Sequence, residues 1–264
     1  MSITFSTCWY VLKAKFDTGT YTRWIENMLS NVNQYYLVVY TDSIGSRFIE
    51  KYLSNPRIKM VIKPVEEFHT YRYKESWIKN HEQNVLLKDR IDWKLNMLWA
   101  EKIHFVSETK KTNPFNTEWF GWCDIGYFRD NLNEAMRRWP NPNKIENLNK
   151  DRVYYACVNN YEEYISKLLQ LVRAKNQVGL PEHEIPANQV SIAGGFFIAH
   201  ETKLEWWRTV FDEKLALYFQ HERLVKDDQI IIVDCVFSNL QHFVLLRENN
   251  PIYDNWFMFQ RYLL

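Results

Sequence analysis

Glycine is scarce, with 7 in 264 residues, less than half the usual share of roughly 7%. No GxGxxG, GxxxxGK[ST] or GxSxG pattern occurs, so dinucleotide-fold, P-loop and hydrolase-elbow readings lack their marks. Cysteine is also sparse. Cys8, Cys123, Cys157 and Cys235 stand apart with no CxxC pair, which excludes a zinc ribbon or a disulfide framework and predicts four buried, reduced thiols. Neither sign of charge dominates: 33 Lys+Arg against 32 Asp+Glu leave a net +1, which argues against a nucleic-acid binder driven by phosphate attraction. No long apolar run is present. Residues 230–233 are among the longest unbroken aliphatic stretches, far short of a membrane span, and the N-terminus has no basic segment leading into an apolar one. The expectation is a cytoplasmic protein with no membrane span, in the cytoplasm of a host if the source is viral. The seven histidines form no HExxH or HxH pattern; His242 alone is kept as a candidate late metal ligand.

What the chain does have is rings. Aromatics reach 16%, with 11 Trp, 16 Tyr and 16 Phe. Such rings fill cores, and they also line sugar- and base-binding clefts by stacking. With 46% hydrophobic and 25% charged residues, the composition is that of an ordinary globular chain.

The first half of the chain reads as alternating strands and helices, the strands marked by aromatic and β-branched runs. Strands are predicted over 3–12, 35–40, 58–62, 119–124, 152–158 and 191–200, and helices over 21–29, 46–53, 91–106, 161–174, 203–221 and 227–237. Residues 131–151, rich in Asn and Pro, predict a loop with a helical turn, and 176–188 a loop long enough to close over a site. This order predicts an α/β chain with a mostly parallel, mixed sheet flanked by helices. The whole of 1–264 reads as one domain, with a nucleotide-type half over 1–130 and an acceptor-type half over 131–264. Ligands of such sheets bind beyond the carboxyl ends of the strands, which points to residues 7–10, 41–43 and 124–126.

Four sequence features offer chemistry there. The run Trp119-Phe120-Gly121-Trp122-Cys123-Asp124-Ile125-Gly126 ends a buried strand in a carboxylate, with a glycine two residues on. Such an Asp can hold a hard divalent cation, or simply cap the next turn with Gly126 at positive φ. Gly194-Gly195 interrupt a β-prone segment, so something approaches the backbone there or the strand bulges. Asp227-Asp228-Gln229 precede an apolar helix; the carboxylates suit a general base or metal ligand, and equally a helix cap. Lys94 lies on the long helix, where it either reaches the crevice or sits on a solvated face.

Taken in order, these pieces resemble the bacterial HtrL/YibB-type glycosyltransferases and their viral relatives. The resemblance spans roughly 3–237 and is most specific over 113–126, where the pattern NPF…WxDxG is present. It implies the nucleotide-diphospho-sugar transferase fold called GT-A, and transfer of a sugar from a UDP- or GDP-sugar donor to a glycan or other hydroxyl acceptor. It implies that Asp124 stands for the first carboxylate of an Asp-x-Asp motif binding Mn²⁺ or Mg²⁺ and the donor diphosphate. Thr7, Tyr40, Thr41 and Asp42 would border base and ribose, Lys94 would touch the donor, Gly194 and Gly195 would face donor sugar and acceptor, and Asp227 or Asp228 would be the catalytic-region carboxylate. Gly126 departs from the motif, occupying the place of the second Asp, so a metal would need another ligand such as Asp228 or His242. Two other readings stand beside this one: a non-catalytic nucleotide- or carbohydrate-binding protein of the same fold, and a nucleotidyltransferase. The latter wants a Gly-rich basic loop after the first strand, where residues 11–19 hold a single glycine.

Overall fold

The computed structural model describes residues 2–129 and 138–264. The chain runs through β1 (Ile3–Trp9), α1 (Thr18–Leu29), β2 (Tyr36–Thr41), β3 (Ile58–Ile62), α2 (Lys74–Gln83), α3 (Trp93–Thr112) and β4 (Trp119–Cys123). There follow α4 (Pro142–Glu146), β5 (Val153–Ala156), α5 (Glu162–Arg173), β6 (Phe196–His200), α6 (Glu201–Gln220), α7 (Asp228–Ser238), β7 (Phe243–Leu246) and α8 (Phe259–Tyr262). The strands form one sheet in the order β3-β2-β1-β4-β6-β5-β7. Only β6 runs against the rest: it pairs antiparallel with β4 and β5, while the other ladders are parallel. The expected mostly parallel, mixed α/β sheet is therefore what forms.

Strand alternation assigns each face its own core. Phe5, Leu37, Val39, Trp119 and Phe196 pack with α1 and α8 on one side. Val38, Tyr40, Phe120, Trp122 and Phe197 pack with α3, α6 and α7 on the other. All four cysteines are buried and unbridged, and no described helix is long and apolar enough to cross a membrane.

Helix α3 matters most for the site. Asp92 starts it, its side chain accepting from the Lys94 N–H at 2.8 Å, and Asn113 ends it at φ 35°, the left-handed stop usual for Asn or Gly. Between these ends the helix runs through the core, burying polar Asn96, Glu101, Lys102 and His104 along with its apolar residues. Buried polar groups need partners, and those partners organise the cleft.

Several elements differ from expectation. Residues 46–53 form two short 3₁₀ turns, Gly45–Phe48 and Glu50–Tyr52. Helix α2 was not predicted, because only Trp77 among its apolar residues is buried and it carries no periodic stripe. Strand β7, with four residues, is too short to show alternation. The loop over 176–188 packs down, burying Leu180 and Ile185, and does not line the cleft described next. Of the loop expected over 131–151, residues 131–137 lie outside the described residues.

Candidate functional site

The carboxyl ends of β1 and β4 lie beside the amino end of antiparallel β6, and a cleft of about 400 Å³ opens above them. That volume lies within the range of small-ligand sites, and the position is where open α/β sheets bind ligands. Its walls are aromatic: Trp9, Tyr10, Phe16 and Trp24 from the first β–α unit, Trp99 from α3, and Trp256 and Phe257 from the C-terminal segment.

Its floor is an ion cluster. The Lys102 ammonium donates to the Gly194 carbonyl at 2.9 Å and stands 3.1 Å from both Asp124 Oδ1 and Asp228 Oδ2. The ammonium thus makes one hydrogen bond, to the Gly194 carbonyl, and two ion pairs, to Asp124 and Asp228. Asp124 is further fixed by the Trp122 indole N–H, which donates to Oδ1 at 2.5 Å, and by its own N–H, which donates to the Gly195 carbonyl at 2.9 Å. Its side chain stays 41% exposed, against 9% for Lys102 and 7% for Asp228. Asp227 pairs through Oδ2 with Lys226 at 2.7 Å, while its buried Oδ1 has no hydrogen-bond partner among the described residues.

Burial raises the Asp228 carboxyl to about 6, against the pull of Lys102 and helped by the neighbouring Asp227 and Asp124. Burial alone would lower the Lys102 ammonium, but Asp124 and Asp228 outweigh it and hold it above its ordinary value. The two shifts run upward for different leading reasons: burial lifts Asp228, whereas two flanking carboxylates lift Lys102 against its burial. Cations return at the walls. Lys15 lies over Trp99 at 4.8 Å, and the Arg129 guanidinium lies 4.7 Å from the Trp24 ring centre and 5.0 Å from that of Phe257. Burial lowers Lys15, partly offset by Asp227 and Asp228.

The glycines are explained by side chains. A Cβ at Gly194 would meet the Asp228 carboxylate at 2.9 Å, and one at Gly195 would meet Asp124 Oδ2 at 3.1 Å. What approaches the backbone at this pair is the acidic cluster itself. At Gly126 a Cβ would strike the Trp24 ring at 2.7 Å. Its φ is not positive, since Gly179 is the only positive-φ glycine among the described residues; position 126 is small because α1 packs on it. The capping alternative for Asp227 also fails: it occupies the N-cap position of α7, but its side chain makes no capping hydrogen bond.

The structure thus brings Asp124, Gly126, Gly194, Gly195, Asp227 and Asp228 to one cleft. It does not bring the others. Thr7 is buried within β1. The Tyr40 hydroxyl is 3.0 Å from Thr109 Oγ1, the Thr41 hydroxyl donates to the Trp9 carbonyl, and Asp42 accepts the Ile44 and Gly45 N–H groups. The end of β2 is therefore closed by its own turn, one strand away from the cleft. Lys94 lies over the Trp93 ring at 5.9 Å and outside the cleft; the α3 lysine that enters is Lys102, two turns further on. Position 102 follows Leu95 by seven and Leu98 by four, on the apolar stripe itself, and a lysine interrupting such a stripe is the signal that identifies it. His242 pairs with Lys203 at 3.0 Å and packs on Trp206, away from the cleft. Arg129, Lys15 and the C-terminal rings carried no local motif.

Among the described residues, Asp124, Asp227 and Asp228 do not bring three ligand atoms within 4.8 Å of one another, because Lys102 stands between Asp124 and Asp228. A preformed carboxylate cage is therefore not present. Asp124, half-exposed in the cleft, does fit the role of a single protein ligand to a Mg²⁺- or Mn²⁺-type ion, which commonly takes one or two carboxylates and completes its shell with substrate phosphates and water.

No protein-family model matches the chain, and no curated protein matches it. Among solved structures, the chain is similar to mouse xyloside xylosyltransferase 1 in its apo form, with 11% identity and a TM-score of 0.49, over 93% of this chain and 85% of that one.

Proposed function

We propose that this chain is a glycosyltransferase of the HtrL/YibB type, moving a sugar from a UDP- or GDP-sugar to a glycan or other hydroxyl acceptor. The observation that carries the reading is the ion cluster of Asp124, Lys102 and Asp228, set on the floor of an aromatic-walled cleft at the carboxyl ends of β1 and β4. The resemblance over 113–126 adds to it. Breaking a sugar–phosphate bond leaves negative charge on the departing diphosphate, and Lys15 and Arg129 are the wall cations that would meet it. Bound by Asp124 and the diphosphate together, Mn²⁺ or Mg²⁺ would supply further stabilisation of that charge. The acceptor hydroxyl must lose a proton in an inverting transfer. Asp228, at about 6, is mostly ionised at neutral pH and still basic enough to take it; the unpartnered Asp227 Oδ1 is the other candidate. Lys102 acts as a positioning residue, fixing Asp124 and Asp228 relative to one another. The apolar faces of Trp24 and Trp256 suit a sugar or a base by stacking.

A hydrolysis screen of UDP- and GDP-sugars with Mn²⁺, paired with calorimetry of UDP and GDP with and without the ion, tests the reading. Donor turnover is expected, and Asp124→Ala is expected to fold normally while losing both binding and turnover. Retained turnover in that variant would remove Asp124 from the mechanism. Tight, metal-independent nucleotide binding without hydrolysis or transfer would instead favour a non-catalytic binding protein.

A further inference from the structure

Away from the cleft, three elements bring together metal-ligating side chains that the proposed transfer does not use. His69 comes from the 3₁₀ segment His69–Tyr73, His104 from α3 and Asp212 from α6. Their ligand atoms all lie within 4.8 Å of one another. His69 Nε2 is 2.9 Å from Asp212 Oδ2, and the two imidazoles stack at 3.9 Å. His104 is 5% exposed, and its Nε2 points at Asp212 Oδ1 from 3.6 Å. Both of those atoms are buried without a hydrogen-bond partner among the described residues.

A buried donor and acceptor that close would ordinarily move together to bond. A separation of 3.6 Å is too long for that. It matches two ligands sharing one zinc ion, about 3.4 Å apart for bonds of about 2.1 Å at a tetrahedral angle. Two arginines stand behind the carboxylate. Arg72 holds Asp212 Oδ2 at 2.6 Å and leaves Oδ1 over, the arrangement by which outer partners orient a ligating carboxylate. Arg208 stands 3.9 Å from Asp212 and is paired with Glu205 at 2.6 Å. Two guanidiniums are thus balanced by two carboxylates, and a dication would enter neutral surroundings.

We infer that His69, His104 and Asp212 form a binding site for a zinc-type divalent cation that ties the His69–Tyr73 segment to α3 and α6. Two imidazoles and one carboxylate suit Zn²⁺, whereas the lone carboxylate Asp124 suits Mg²⁺ or Mn²⁺. The site stands independently of the transfer reaction.

The test is Zn²⁺ titration of chelator-stripped protein, carrying no added histidines, in competition with a chromophoric chelator. Stoichiometric uptake of one Zn²⁺ that excess Mg²⁺ does not displace is expected, together with the visible absorption of a tetrahedral centre when Co²⁺ is used. His69→Gln changes a side chain one-third exposed and should stay folded by circular dichroism, yet weaken Zn²⁺ binding at least 100-fold. His104→Gln should do the same, while Asp124→Asn should bind as the parent does. Absence of stoichiometric uptake by the parent, or unchanged affinity in the folded His69→Gln variant, would overturn the site.

Discussion

Replacing Lys102 by Met probes the ion cluster most directly. The substitution keeps much of the stem volume and removes the ammonium that stands 3.1 Å from both Asp124 and Asp228. Taking away one partner of a buried ion pair costs about 3–5 kcal/mol, because the remaining charge is left uncompensated. Asp124 is 41% exposed and can turn to water, so the lower end, about 3 kcal/mol, is expected near pH 8. At pH 5 the penalty should shrink. Asp228 holds its proton up to about 6, and a neutral carboxyl needs no ammonium beside it. For a domain of this size about 2–4 °C accompanies each kcal/mol, so the melting temperature should fall by roughly 6–12 °C at pH 8 and by clearly less at pH 5. Thermal melts by circular dichroism at both values, with parent and variant side by side, read this out. The double variant Lys102→Met/Asp228→Asn should recover at least half of the pH 8 loss. A Lys102→Met protein that melts with the parent at pH 8, or whose deficit is the same at pH 5, would refute the account of the floor.

Two further outcomes follow from the same geometry. The folded-state value of Asp228, about 6, lies above its ordinary 3.8, so this group's contribution to stability is complete below about pH 3.8 and is lost as pH rises through 6. It amounts to as much as about 3 kcal/mol. Urea unfolding from pH 4 to 7.5 should show that decline in the parent and a flatter profile in Asp228→Asn; identical slopes would exclude the assignment. Gly126→Ala drives a Cβ to within 2.7 Å of the Trp24 ring and should cost about 1–3 kcal/mol by overpacking. Adding Trp24→Leu should recover part of that loss. Failure of this rescue would mean that Gly126 is required for something other than room.

Much of the architecture is local information. The unbroken apolar runs at 36–41 and 119–123 state that these strands are buried on both faces, and the order of strands and helices implies a mostly parallel sheet before any contact is known. Asp124 was legible for the same reason: a carboxylate closing a buried aromatic strand falls at the strand's end wherever the strand packs. The pairing of charges was not legible. Lys94 and Lys102 share a helix, yet only the latter faces Asp124, Asp228 and the Gly194 carbonyl. Thr41 and Asp42 look equally well placed at a strand's end, but their own turn consumes them. Periodicity and turn chemistry act over a few residues, so the sequence by itself determined the layers, the buried faces and the strand-end carboxylate. Electrostatic partnership depends on distance through space, and Lys102, Asp124 and Asp228 come from three elements that only the closed tertiary structure brings within 3.1 Å; the same holds for His69, His104 and Asp212.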